Sequence, residues 1–200
     1  GNILKQKNGN IVIGINEQLE NSKSQMGTQS IHMQLLNENP KNEQQLKKAF
    51  DEFCKKNPEK HEGFFQADIG EKKCIFLIMF TITQPRAVRT SSRWIDKELT
   101  SLLNGQESLS IRDHRVYIPL LGTGEAGVEI TKDQMILLIV RAFLKSCINS
   151  SNDHTDKIKQ VNIIVYYKDA GEINWFELEK RIKILLDGCR KCRYLNFYGW

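Results

Sequence analysis

Short, strongly apolar runs alternate along this chain with stretches of helical period, and that alternation constrains the fold more than any other feature. Asn10–Ile15 carries Ile11, Val12, Ile13 and Ile15 in nearly unbroken succession, as a strand covered on both faces would. Phe64–Ile69 and Lys73–Thr83 read as a second and third strand, joined as a hairpin at Gly70. His114–Leu121, Gln160–Tyr167 and the tail Tyr194–Trp200 supply the rest. Between them lie helical signatures. Ser30–Met33 opens a short helix. Asn39-Pro40 starts a longer one that carries Leu46, Ala49, Phe50, Phe53 and Cys54 and stops at Asn57-Pro58. Ser91/Ser92 caps a helix with Trp94, Ile95, Leu99, Leu102 and Leu103, and Gly105 lies just beyond it. Thr131 and Gln134 form a capping box ahead of Met135–Leu144, and Asn174 and Glu177 form another that opens a helix to Asp187, closed by Gly188. The expected class is α/β, a three-layer fold with a mixed central β-sheet flanked by helices on both faces. With no internal repeat and no linker, residues 1–200 are expected to form a single domain.

Composition excludes several classes of function. The longest uncharged apolar runs, Cys74–Thr83 and Met135–Val140, fall far short of the ~20 residues a membrane helix needs. Residues 1–10 are polar and do not form a signal peptide. Lys and Arg number 29 against 24 Asp and Glu, a mild excess spread along the chain, with Arg190-Lys191-Cys192-Arg193 as its densest cluster. A nucleic-acid module would concentrate that charge on one face among stacking aromatics, so no nucleic-acid partner is expected. Five cysteines, an odd number, argue against a disulfide framework and for a reducing, cytoplasmic setting. Cys189 and Cys192 make one CxxC, but His32, His61, His114 and His154 are scattered singly, so no metal site is expected.

The sharpest local motif is Gly122-Thr123-Gly124-Glu125-Ala126-Gly127, between a strand and a helix. Glycines there allow positive φ and let backbone N–H groups approach a ligand, and successive amides make a nest that suits phosphate oxygens. The plain alternative is a tight turn. Val128 and Glu129 stand where a P-loop needs Lys and Ser/Thr. A dinucleotide fingerprint would start its helix at the third glycine, whereas the helix cap here is Thr131.

Val116-Tyr117-Ile118-Pro119-Leu120-Leu121-Gly122-Thr123-Gly124, with a glycine turn and an apolar helix after it, resembles the second phosphate loop of macro domains. Ile11–Asn16 resembles the macro strand that ends in an Asn at the distal ribose. Gln160–Tyr167 resembles the final strand, whose terminal aromatic flanks the nucleotide. These segments occur in the macro order across nearly the whole chain. Two family features are missing: Asn16 is followed by Glu17-Gln18-Leu19 rather than Ala-Ala-Asn, and the triple-glycine first loop of hydrolytic macro domains is replaced by Met26-Gly27-Thr28-Gln29-Ser30-Ile31-His32-Met33. The Ser-Ile-His pattern, with Arg86 and Arg89 after the long strand, resembles the macro domain of Thoeris anti-phage effectors. That resemblance implies sensing of an ADP-ribose derivative, such as an amino-acid conjugate made by a TIR enzyme, with no catalytic residue and no cofactor. The alternatives are an ADP-ribosyl hydrolase and a generic ADP-ribose reader. It also implies attachment to an effector or membrane segment in a longer protein, consistent with Gly1 as a cloning remnant, and leaves room for a homo-oligomer.

The ligand-binding residues expected on this resemblance are Asn16, Glu17, Gln29, Ser30, Ile31, His32, Arg86, Leu121, Gly122, Thr123, Gly124, Glu125, Ala126, Gly127 and Tyr167. Each has a plainer alternative. Asn16 could close its strand in an Asx-turn, and Ser30 is better placed as a helix cap than as a nucleophile. His32 lacks a nucleophile to activate. Arg86 and Arg89 could pair with an acidic neighbour such as Glu125, which would repel a diphosphate if it pointed inward. Tyr166 and Tyr167 alternate, so one is expected to face the core and the other the cleft or the opposite face. Trp94 and Trp175 are expected in the core.

Overall fold

A computed structural model describes residues 2–6, 8–16, 30–58, 63–83, 87–104, 109–122, 128–149, 158–187 and 195–198, without side chains at 80–83, 87–89, 112, 149 and 195–198. The elements run β1 (Asn10–Asn16), α1 (Ile31–Glu38), α2 (Lys41–Lys56), β2 (Gly63–Ile69), β3 (Lys72–Thr83), β4 (Ala87–Arg89) and α3 (Ser92–Asn104). They continue with β5 (Arg115–Pro119), α4 (Lys132–Asn149), β6 (Gln160–Ile164), α5 (Tyr167–Ala170), α6 (Trp175–Asp187) and β7 (Leu195–Tyr198). A 3-10 turn, Ile3–Lys5, precedes β1. None of the helices described is long and apolar enough to cross a membrane.

The helix starts follow from their caps. Ser30 Oγ accepts from Met33 N–H (3.2 Å) and Ser91 Oγ from Trp94 N–H (3.1 Å). Asn39 Oδ1 accepts from Lys41 N–H (2.9 Å), so Pro40 enters α2 already in helical conformation. The Thr131 box closes in both directions: Gln134 N–H donates to Thr131 Oγ1 (3.2 Å) and Thr131 N–H to Gln134 Oε1 (2.9 Å). Glu177 N–H donates to Asn174 Oδ1 (3.2 Å). The expected stops at Gly105 and Gly188 lie outside the described residues.

The strands form one sheet in the order β2-β3-β1-β5-β6-β7, with β4 folded back on the end of β3. β3, β1, β5, β6 and β7 are parallel, and β2 is the antiparallel partner of β3 in the hairpin turned at Gly70. Strand side chains divide by the period of two. Ile11, Ile13, Ile15, Cys74, Phe76 and Ile78 pack with Met33, Leu35 and Leu36 of α1 and Leu46 and Phe50 of α2. Val12, Ile75, Leu77, Met79, Val116, Ile118, Val161 and Ile163 pack with α3, α4 and α6. This is the expected sheet between two helical layers.

Along the edge where β1, β5 and β6 begin, side chains tie the strands together. Asn10 Nδ2–H donates to Arg115 O (3.1 Å), and Gln66 Nε2–H to Asn10 Oδ1 (3.2 Å) and Ser110 O (2.9 Å). Ser110 N–H returns a bond to Gln66 Oε1 (2.8 Å). Arg115 Nε–H donates to Gln160 Oε1 (2.8 Å), Gln160 Nε2–H to Asn162 Oδ1 (2.8 Å), and Asn162 Nδ2–H to Val116 O (3.3 Å).

Four expectations need correction. The last long strand stops at Ile164 rather than Tyr167, because Tyr166 O accepts from Asp169 N–H (2.9 Å) and Ala170 N–H (3.2 Å) and starts α5. Tyr166 and Tyr167 therefore do not alternate across a sheet; both are exposed, 45% and 61%. Trp175 is 37% exposed rather than core, since it opens α6 and donates Nε1–H to Ala170 O (3.0 Å). The fifth strand is also shorter than expected, Arg115–Pro119.

Candidate functional site

In an open sheet of parallel strands, a crevice forms where successive connections leave for opposite faces. Here that point lies between β1 and β5. The chain leaves β1 toward α1 and α2 on one face and leaves β5 toward α4 on the other. The two ladders of β1 differ in length. β1 pairs with β3 along its whole length, but with β5 only at Asn10–Val116 and Ile11–Tyr117. Toward their carboxyl ends the two strands run on without further pairing among the described residues.

Asn16, 3% exposed, closes the β1 side of this opening. The β1–β3 register breaks there: Ile15 lies opposite Ile78 but Asn16 opposite Phe80, so β3 carries an extra residue, Met79. Such a bulge re-aims the end of the strand. Ser30, Ile31 and His32 form the start of α1, which packs on β1. The first turn of a helix holds N–H groups with no acceptor inside the helix and carries the positive end of its dipole. His32 is buried in that turn, and burial pushes its imidazole down to about 4, so it is neutral at pH 7.

Leu121, buried, and Gly122 close the β5 side. Gly122 has φ +71, and a Cβ there would sit 3.2 Å from Ile95 Cδ1 and 3.3 Å from Thr90 Cγ2. The left-handed φ favours glycine, and a Cβ there would press on both side chains. Val128 N–H donates to Gly122 O (3.1 Å), which draws the two ends of the glycine segment together at the mouth of β5. Thr123, Gly124, Glu125, Ala126 and Gly127 lie between those ends and outside the described residues, as do Glu17, Gln29 and Arg86. Arg89 ends β4, a strand not expected from the sequence.

Beyond β6, Tyr167 starts α5 on the same edge of the sheet, its ring 4.6 Å from that of Tyr166 at 60°. The structure thus brings Asn16, Ser30, Ile31, His32, Leu121, Gly122 and Tyr167 to the carboxyl edge of one sheet. Sequence reasoning missed Lys132, the first residue of α4. Its Nζ donates to Asp169 Oδ1 (2.6 Å) and lies 2.8 Å from Glu172 Oε1, linking α4 to the segment after β6. Partial burial opposes the Lys132 charge, but the two carboxylates outweigh it and its pKa is raised. No local pattern joins residues so far apart in sequence. Among the described residues there is no cluster of three or more His, Cys, Asp or Glu side chains fit to hold a metal. The CxxC cysteines, Cys189 and Cys192, lie outside those residues.

The profile of the family described as "Thoeris protein ThsA, Macro domain" matches residues 1–166. The fold is similar to that of the macrodomain of Mycobacterium tuberculosis DarG, with a TM-score of 0.53 and 22% identity, over 83% of this chain and 93% of that one. No curated protein matches the chain in sequence.

Proposed function

Since the chain belongs to the macro-domain family of the Thoeris protein ThsA, we propose that it binds an ADP-ribose derivative in the cleft between β1 and β5 and acts as the sensor module of an anti-phage effector. The observation that carries this is the early end of the β1–β5 ladder, with Asn16 on one side and the drawn-together ends of the glycine segment on the other. In this reading the diphosphate rests on the amides of Gly122–Gly127 and the start of α1, where dipole and N–H groups favour an anion. Leu121 and Arg86 adjoin it. Asn16, Glu17, Gln29, Ser30, Ile31 and His32 surround the distal ribose and whatever is conjugated to it, and Tyr167 flanks the nucleotide end. One sheet joins strands from β1 to β7, which supports reading residues 1–200 as a single ligand-binding domain.

Binding without turnover suits His32, whose depressed pKa and burial leave it poorly matched to general-base work at neutral pH. The preferred ligand is a conjugate such as histidine-ADP-ribose. A hydrogen bond that only the conjugate makes contributes ~1–3 kcal/mol, roughly tenfold to a hundredfold in affinity. Calorimetric titration with ADP-ribose and with its histidine conjugate tests this. Tighter binding of the conjugate is expected; equal affinity would leave a generic ADP-ribose reader, and no binding of either would remove the proposal.

A further inference from the structure

We propose that Lys132 is a positioning residue for the nucleotide end of the cleft, clamping the Tyr166–Tyr167 pair through Asp169 and Glu172 to the first turn of α4. α5 is four residues long and has no fully buried side chain; only Ala170 packs against the core, so helix cooperativity and apolar packing hold it weakly. Polar ties add to that hold. Lys132, with its side chain only 15% exposed, reaches Asp169 at 2.6 Å and Glu172 at 2.8 Å. Asp169 is bound back to the tyrosines through its own N–H, which donates to Tyr166 O at 2.9 Å, and Glu172 N–H donates to Asp169 O at 3.0 Å. Trp175 Nε1–H holds the far end at Ala170 O. The two rings, tilted 60° to each other, are left exposed at the carboxyl edge of β6, where an aromatic surface is open to a planar group.

The clamp also ties α5 to the helix that follows the glycine segment in sequence. The glycine segment runs into Thr131, whose box starts α4, and the next residue is the lysine that holds α5. The first turn of α4, just after the described residues 128–130, is therefore tied to α5. The positioning role rests on the ADP-ribose reading of the cleft.

The test is calorimetric titration with ADP-ribose of the wild-type chain, Lys132→Met, Lys132→Arg, Tyr167→Ala and the Lys132→Met/Tyr167→Ala double variant. Melting curves run alongside to confirm that each variant folds. Lys132→Met should weaken binding about tenfold, and Lys132→Arg should restore most of it. The double variant should bind no more weakly than Tyr167→Ala alone, because a lysine that acts through the tyrosine has nothing left to position; independent contacts would instead add. Hydrogen exchange should quicken at residues 167–173 in Lys132→Met and not in α4. Wild-type affinity in Lys132→Met, or full additivity in the double variant, would overturn the proposal while the cleft reading stands. Wild-type affinity in Tyr167→Ala would overturn it as well. If the unmodified chain binds neither ADP-ribose nor its histidine conjugate, the cleft reading falls first and takes the clamp's role in recognition with it.

Discussion

Mild acid should destabilise this domain through one buried imidazole. His32 is 2% exposed, and burial lowers its pKa from 6.5 to about 4. The unfolded chain restores the ordinary value. Above pH 6.5 the ring is neutral in both states, and its contribution to stability is fully present. As pH falls from there toward 4, the unfolded state takes up a proton that the folded state refuses, so stability falls with pH across that window. Each unit of difference is worth ~1.4 kcal/mol. Integrated between about pH 7 and about pH 4.5, the loss comes to roughly 2 kcal/mol, or about 4–8 °C in Tm for a domain of this size. The positive end of the α1 dipole acts in the same direction. Urea unfolding of the wild type and of His32→Gln at those two pH values isolates the effect, since carboxylates titrate in both proteins and cancel in the difference. The wild type should lose about 2 kcal/mol more than the variant. Equal losses would show that the imidazole is not held neutral by burial.

Gly122→Ala should cost about 1–2 kcal/mol in urea unfolding, from a left-handed φ that alanine disfavours and a Cβ pressed toward Ile95 and Thr90; unchanged stability would contradict the backbone described for that turn. Thr131→Ala should cost ~1 kcal/mol, and adding Gln134→Ala should cost less than the sum of the two single changes, because the pair bonds reciprocally. Cys74 is buried, and burial first among its surroundings pushes the thiol up to about 12, so mass-spectrometric mapping should find it unalkylated in the native state and modified only on unfolding. Labelling of Cys74 in the folded protein at neutral pH would refute that.

What could be read from the sequence was whatever is decided locally. Ser30, Ser91 and Thr131 cap helices because a short oxygen-bearing side chain meets amides two or three residues ahead. Gly70 turns a hairpin for an equally local reason, its φ of +60. The errors arose where a local preference met a longer-range constraint. Tyr166 and Tyr167 favour strands and extend an apolar run, yet the chain leaves the sheet at Val165 and Tyr166 O caps a helical turn. Ala87–Arg89 is too short to show any period and is a strand only because it pairs with the end of β3. The glycine segment marks where a ligand could lie, but the opening beside it depends on how far β1 and β5 stay paired, and no residue near Val12 signals that their ladder ends. Lys132 looks like an ordinary solvated lysine until the fold brings Asp169 and Glu172 to it.

The polar ties along the starting edge of the sheet solve a problem of alignment. Parallel strands built from Ile, Val, Leu and Phe are nearly interchangeable in steps of two residues: a strand that slides by one pleat still sets apolar side chains against apolar neighbours on both faces. Burial alone distinguishes such alignments poorly. Asn10, Gln66, Gln160 and Asn162 tell them apart, because each amide also bonds across to a neighbouring strand, Gln160 to Arg115, and Asn10 and Asn162 are fully buried there. A slip of two residues would break these cross-strand bonds, and a buried amide left unpaired costs ~1–3 kcal/mol. The aliphatic residues thus favour any stacked sheet, while a few amides exclude the shifted ones. The alignment is checked at the end of the strands where no ligand is expected, which leaves the loops at the other end free to vary in sequence without disturbing it.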